Sequence, residues 1–414
     1  MGLLALQMPS FNGAFVLQSR TKQCSTIANR PREPSQVRQT KGQHVVKTVR
    51  PQSANAILSI EEIRERVAKL PRVSLALLPT PMHDAPQLAE AIGIERLLIK
   101  RDDLTGLAFG GNKTRNLEFR MADAVSQNAD VFIAGLEAQS NSARQVTAAA
   151  NILGMRPILV LRHDRDWDWQ GNLLVDRILG ADIRFVETHD KAEMDDALLQ
   201  VAAEQRALGR NPFVMNHQAS FAIGSALAYL LCSLEIVEQC AELGVEPDFL
   251  YMASGNKGHA GLILGRALLG ASFRPVAISQ HYGDDRVSGA LMGARGAAEA
   301  IGAQVELSEA DVESYDDYVA TKYGLPSPAG MAAIELAARA EGLLLDPIYS
   351  AKAMAGLIDH IQTGKVLRHS TVVFIHTGGQ PALFAFKDEL LAFNEARGNG
   401  QVARGKRQRA RSEK

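Results

Sequence analysis

The chain has 414 residues, 46% of them hydrophobic, enough to bury a sizeable core in two domains or in one large domain with tails. Its net charge of -1 hides basic ends: residues 1–60 carry eight Lys/Arg against Glu33 alone, and residues 397–414 carry seven against Glu413, which leaves the body strongly acidic. An acidic body with 6% aromatics argues against a nucleic-acid-binding core, and Cys24, Cys232 and Cys240 supply neither a disulfide framework nor a CxxC metal spacing.

Residues 1–58 are acid-poor, Arg- and Ser-bearing and without a strong period, the composition of an organelle transit peptide and equally of an extension that never folds. The expected location is cytoplasmic, with an organelle as the alternative if this segment is a transit peptide. From Ile60 the pattern turns globular. "SIEEIRERVAKL" predicts a helix capped by Ser59, with Glu61 and Glu62 in its first turn. "LLPTPMHDAPQLAEAIG" reads as a loop and a helix, "RLLIKRDDL" as a strand, and "TRNLEFRMADAVSQ" as a helix.

Beyond it, apolar runs alternate with helical stretches. Strands are predicted at 130–135, 156–162, 181–187, 248–254, 274–280 and 370–377, with helices such as "SARQVTAAANILG", "GNLLVDRILG" and "AGLILGRALLG" between them. Continuous apolar strands indicate burial on both faces, and the alternation indicates parallel sheets. The predicted class is α/β, with at least two sheet-forming regions. The run 220–237 contains serines and stops at Glu235, which suits a buried helix rather than a membrane span. The tail 397–414 reads as a basic, low-complexity, disordered segment.

Ligands in such sheets bind where strand ends lead into helix N-termini. Four segments there carry chemistry. In "GGNKTRNLE" (110–118), Gly110 and Gly111 permit positive φ or close backbone approach, and Asn112 precedes Lys113 at a helix start. A lysine desolvated there becomes a nucleophile for a carbonyl; an ordinary surface lysine is the plain alternative. In "EAQSNSARQ", Ser140, Asn141 and Ser142 stand at a helix N-terminus that favours an anion such as a carboxylate, although a capped helix needs only one of them. "ASGNKGHAG" takes a strand end through a Gly-rich turn (Ser254, Gly255, Asn256, Lys257, Gly258) into a helix, a geometry that cradles phosphate, though neither GxxxxGK[ST] nor GxGxxG is present. Tyr349 and Ser350 precede a helix in "LDPIYSAKAMAGLI", and Thr377 precedes a double glycine in "FIHTGGQPALFAF".

Taken together, "KRDDLTGLAFGGNKTRNLEF", "QSNSARQ", "HAGL", "LDPIYSAKAMAGLID" and "HTGGQPALFAF" resemble the D-cysteine desulfhydrase and 1-aminocyclopropane-1-carboxylate (ACC) deaminase family, from about residue 70 to 390. The resemblance implies a pyridoxal-phosphate (PLP) enzyme of the tryptophan-synthase-β fold type II. Its two domains would each be an open, mostly parallel sheet flanked by helices. Residues 59–115 and 225–392 would form the large PLP-binding domain and 116–224 the small one. It further implies Lys113 as the Schiff-base lysine and Asn112 and Asn141 as hydrogen-bonding groups. Ser140 to Ser142 would hold the substrate carboxylate and Ser254 to Gly258 the phosphate. Tyr349 would be an acid/base near the reacting carbons, and Ser350 and Thr377 would lie beside the ring. A homodimer acting on a small amino acid is implied, with no metal, no membrane and no nucleic acid for the core.

ACC deaminases carry Glu after the tyrosine and Leu in place of the threonine, so Ser350 and Thr377 point to the desulfhydrase side: α,β-elimination to a 2-oxo acid and ammonia. The alternatives are ACC deamination, racemisation or β-replacement on another amino acid, and PLP binding without turnover. The chain departs from the family at Ser142 (His or Gln), at "GNKGHAG" (SGGTHAG) and at "NHQAS" 216–220 (PVGGS), where His217 and Gln218 add bulk.

Overall fold

The computed structural model describes residues 57–396, apart from 163–167, 189, 216–218 and 284 and the side chains of 219–221. Residues 1–56 of the N-terminal extension, including Cys24, and His217, Gln218 and the basic tail lie outside the described residues. In chain order the elements are α1 (Ile60–Val67), β1 (Met82–Asp84), α2 (Pro86–Ile92), β2 (Arg96–Lys100), α3 (Lys113–Ser126), β3 (Val131–Glu137), α4 (Asn141–Ile152) and β4 (Arg156–Arg162). Then come α5 (Gly171–Ile178), β5 (Asp182–Val186), α6 (Lys191–Ala207), β6 (Pro212–Met215), α7 (Ala219–Glu242), β7 (Phe249–Ala253), α8 (Lys257–Leu269) and β8 (Arg274–Ile278). The chain closes with α9 (Asp285–Ala300), β9 (Glu313–Tyr315), α10 (Pro328–Glu341), α11 (Ser350–Gln362), β10 (Thr371–Ile375) and the single turn α12 (Ala382–Ala385).

Ten strands form two sheets among the described residues. One runs β1-β2-β10-β7-β8-β9, parallel except for β1 against β2; the other runs β5-β4-β3-β6, all parallel. The α/β class expected from the alternation is the class observed. Side chains alternate across each strand, and both sets find a core. Phe249 and Tyr251 of β7 pack with α2, α10 and α11, whereas Leu250 and Met252 pack with α7 and α8. In β3, Phe132 and Ala134 face one cluster while Val131 and Ile133 face α6. Two buried faces are why these strands read as unbroken apolar runs.

All seven predicted strands, "RLLIKRDDL" among them, are present. β1, β6 and β9 were not foreseen; each is three or four residues long and lies at a sheet edge, where one-sided pairing demands little apolar sequence. Ser59 caps α1 in a full capping box with Glu62, as the local motif predicts. The apolar helix does not stop at Glu235: α7 continues to Glu242, and Glu235 is buried within it. By length and composition Ala222–Glu242 could cross a membrane, but 72% of that window is buried in the protein interior.

Glycines let α8 approach α7 closely. A Cβ on Gly261 would lie 2.2 Å from the Ala226 carbonyl oxygen, and one on Gly265 would lie 1.9 Å from Ser233 Oγ. The backbone contact at Gly261 can relax only by separating two helices. Gly261→Ala is therefore expected to destabilise the fold by about 1–3 kcal/mol, read as a lower midpoint in thermal or urea denaturation.

Candidate active site

The approach to Lys113 is an unusual run of backbone. Ala108, Phe109, Gly110 and Gly111 all have positive φ, at 42°, 68°, 64° and 122°. Both glycines are sterically required: a Cβ on Gly110 would lie 2.1 Å from the Asp103 carbonyl oxygen, and one on Gly111 would lie 2.8 Å from Gln145 Nε2. Gly378, at φ 87°, crosses the same point, its Cβ position 2.7 Å from Gly111 Cα. The Asn112 N–H donates to the Thr377 carbonyl at 3.0 Å. Two double glycines from distant parts of the chain thus meet back to back, and α3 begins at Lys113 immediately beyond.

The α4 N-terminus joins them. Of the three polar residues there, Ser140 is the cap; its hydroxyl oxygen accepts from Ser142 N at 3.1 Å and Ala143 N at 3.4 Å. Asn141 Nδ2 lies 2.7 Å from where a Gly379 Cβ would stand. Gln145 reaches back from α4, accepting from Thr114 N and Thr114 Oγ1 at 2.8 Å each and donating to the Asn141 carbonyl.

Burial lowers the Lys113 ammonium to a pKa of about 8, with the Arg120 guanidinium adding repulsion. Lys257, at the start of α8, falls to about 7 through burial, Arg120 and Lys113. Arg120 itself falls to about 9 by burial. These three cations share a desolvated neighbourhood, which an anionic group would stabilise. The end of α8 faces it: Asn256 is the N-cap but makes no side-chain cap, and Ser254 Oγ accepts from His259 N at 3.3 Å. The Asn256 amide packs on α9, 2.3 Å from the Cβ position of Gly289. A helix N-terminus with clustered cations is the donor set that a phosphate requires.

A cavity of about 230 Å³ lies alongside, lined by Ser140, Gln139, Tyr323, Tyr349 and the Glu137–Arg162 ion pair. Tyr349 is aimed by Asp346, whose carboxylate accepts from the backbone N–H groups of Ile348, Tyr349 and Ser350 at 3.1, 2.9 and 2.8 Å. Ser350 is fully buried, and its hydroxyl donates to Asp346 Oδ1 at 2.6 Å while accepting from Asp346 N. In this structure its contribution is to hold the Tyr349 turn. Tyr349 Oη hydrogen-bonds Tyr323 Oη, and His281 stacks on the Tyr323 ring at 4.0 Å. Burial pushes Tyr323 up to about 12 and Tyr349 well above its usual value, the neighbouring phenol adding to the latter.

Asn112, Asn141 and Thr377 therefore meet at the glycine crossing, Ser140 and Tyr349 share the cavity, and Lys113 and Lys257 interact electrostatically. Lys113 does not line the cavity itself. Tyr323 was not foreseen; its only sequence signal is a tyrosine in a Gly/Pro loop, "TKYGLPSP".

The family described as "Pyridoxal-phosphate dependent enzyme" matches residues 73–378. A D-cysteine desulfhydrase of Serratia proteamaculans (strain 568) is 37% identical over 342 residues, covering 79% of this chain and 99% of that protein. One of Salmonella typhi is 38% identical over 330 residues, covering 77% and 97%. Among solved structures, an ACC deaminase homologue superposes with a TM-score of 0.72 at 35% identity, over 80% of this chain and 99% of the other. Threonine deaminase isoform 2 of Solanum lycopersicum shares the fold, with a TM-score of 0.54 at 16% identity over 84% and 93%.

Proposed function

The chain belongs to the family of pyridoxal-phosphate-dependent enzymes and is a lyase or deaminase of small amino acids, and from that premise we propose that it catalyses a D-cysteine desulfhydrase-type α,β-elimination. The observation that carries the reading is Lys113: a desolvated amine, lowered to about 8, set at a crossing of four required glycines beside an anion-seeking helix end. D-Cysteine would give a 2-oxo acid, ammonia and sulfide.

The residues divide the work. Lys113 and Asn112 with Asn141 and Thr377 would hold the cofactor's ring, and Ser254 to Gly258 would hold its phosphate, with Lys257 supplying charge. Pyridoxal phosphate, when bound, supplies an electron sink for the substrate α-carbon. The substrate carboxylate is received at the α4 N-terminus by Ser140 and Ser142. Because the Ser140 oxygen already accepts two N–H groups, its own O–H remains to donate to that carboxylate. Lys113 Nζ, deprotonated above about pH 8, takes the α-proton. Tyr349, held well above its usual value, keeps its proton and serves as the acid toward the leaving thiolate, with Tyr323 beside it. Ser350 acts through the Asp346 clamp that aims Tyr349.

The small domain is taken as 116–224 and the large as 59–115 with 225–392; α3 and α7 cross between them. A homodimer is part of the same reading. Leu77 and Phe109, 69% and 65% exposed beside the Lys113 loop, offer apolar surface for it. A cytoplasmic site is favoured by the buried free thiols Cys232 and Cys240, which suit a reducing compartment.

The test is product analysis on the purified, cofactor-loaded protein with D- and L-cysteine, D-serine and ACC. Stoichiometric sulfide, ammonia and 2-oxo acid from D-cysteine are expected. Ammonia from ACC alone, or racemised cysteine without sulfide, would overturn the elimination.

A further inference from the structure

We propose that Arg144 and Asn172, two fully buried residues of α4 and α5, are positioning residues that fix which end of the Asn141 amide faces the site. The same guanidinium holds the approach to Lys113. The inference rests on the reading above in taking Asn141 as a cofactor contact.

The argument is one of hydrogen-bond direction. A guanidinium can only donate. Arg144 Nε donates to Asn172 Oδ1 at 2.9 Å, so the Asn172 amide must turn its nitrogen to the other side. There Nδ2 meets two acceptors, the Gln139 carbonyl at 3.0 Å and Asn141 Oδ1 at 2.7 Å. Asn141 is consequently left with its NH2 pointing toward Gly379. Reversing either amide would set donor against donor or acceptor against acceptor, so the chain has a single self-consistent order. The Asn172 backbone N–H, donating to Gln139 Oε1 at 2.9 Å, locks α5 to the same loop.

The second arm runs the other way. Arg144 Nη1 donates to the Ala108 carbonyl and, at 3.0 Å, to the Gly110 carbonyl. Ala108 and Phe109 hold positive φ, which non-glycine residues seldom adopt. Those two carbonyls bracket the unfavourable turn, and Gly111, Asn112 and Lys113 follow it directly. One buried side chain thus orders both the lysine-bearing segment and the amide that faces it, while touching neither substrate nor cofactor.

The decisive variant is Asn172→Asp. A carboxylate still accepts from Arg144 but cannot donate to Asn141, whose amide is then free to present its oxygen to the site. The readout is the visible absorbance of the full-length protein titrated with pyridoxal phosphate. A shifted band and about tenfold weaker cofactor binding, one hydrogen bond's worth, are expected, together with a lower melting temperature from the lost bond to the Gln139 carbonyl. In an Asn141→Ala background the same substitution should change neither band nor binding. Asn172→Ser, whose hydroxyl cannot impose an order, is the second variant and decides the matter if the aspartate variant does not fold; it should shift the band in the same direction. An unmoved band in a variant that folds, or effects that simply add in the Asn141→Ala background, would overturn the inference while leaving the function intact. A wild-type protein with no band at all would overturn both.

Discussion

Lys113→Ala is expected to abolish the visible band that the wild-type protein shows with pyridoxal phosphate and to lower turnover of D-cysteine by more than about 10⁴-fold. That exceeds the usual worth of one positioned acid–base group because Lys113 would be covalent anchor and base at once. The neighbouring Lys257 is the natural rival nucleophile, since it is depressed further, to about 7. Lys257→Ala should keep the band and weaken cofactor binding; a band that survived in Lys113→Ala and vanished in Lys257→Ala would reverse the assignment. The pH dependence has a definite sign. Burial and Arg120 lower Lys113 to about 8, so the reactive free base grows through that value, where half is deprotonated, and saturates about one unit above it. The rate at which the apo protein forms the band should rise from pH 6 through about 8 and level off near about 9, whereas an unperturbed lysine would keep gaining beyond its ordinary value near 10.4.

The largest loss of stability is expected from Arg115→Met. Arg115 is 1% exposed and bridges Asp102 (Nη2 to Oδ1, 2.8 Å) and Glu235 (Nη1 to Oε1, 2.7 Å), with Thr80 at 3.0 Å. Tyr229 Oη donates to Asp102 at 3.1 Å, and Lys100 pairs with Glu235 at 2.7 Å. Removing the guanidinium strands Asp102 without a cation in the interior, a change that costs about 3–5 kcal/mol. Urea denaturation at neutral pH measures it; a loss below about 1 kcal/mol would show that the network reorganises. Acid should expose the same device in the wild type. Burial alone would raise Glu235, but the Arg115 hydrogen bonds and Lys100 outweigh it and hold it below the usual carboxylate range. A depressed carboxyl stabilises fully above its unfolded value and loses that contribution as pH falls through the folded one. Stability should therefore begin to fall below about pH 4.5.

Legibility from the sequence tracks the range of the interaction that fixes each feature. Ser59 with Glu62, and the continuous apolar runs of β2, β3, β4, β7, β8 and β10, were readable because capping and two-sided burial are written within a few residues. The chemistry-bearing segments were readable as segments: glycines before Lys113, serines before α4, glycines after Thr377. What they do to one another was not. That Gly110 must be glycine depends on the Asp103 carbonyl, and that Gly111 must be depends on Gln145 and Thr377, contacts made only by the folded chain. Ser350 illustrates the same limit, since only the structure shows its hydroxyl engaged with Asp346. Tyr323, Arg144 and Asn172 carry no local signature, because each matters through a partner brought by another element. In sequence Glu235 is only the end of an apolar run, since nothing nearby announces Arg115.

The back-to-back contact of Gly111 with Gly378 also sets a schedule for biosynthesis. The lysine segment emerges early and threads beside β2, but the strand that completes its wall, β10, is the last one made. Until it pairs with β2 and β7 in the middle of the six-stranded sheet, the large sheet is split and the Gly111–Gly378 crossing cannot form. If Lys113 anchors the cofactor as proposed above, the nascent chain would be unable to capture it during most of translation. On that reading loading would be confined to the nearly finished polypeptide, and a chain truncated before residue 371 would lose the glycine crossing along with the sheet.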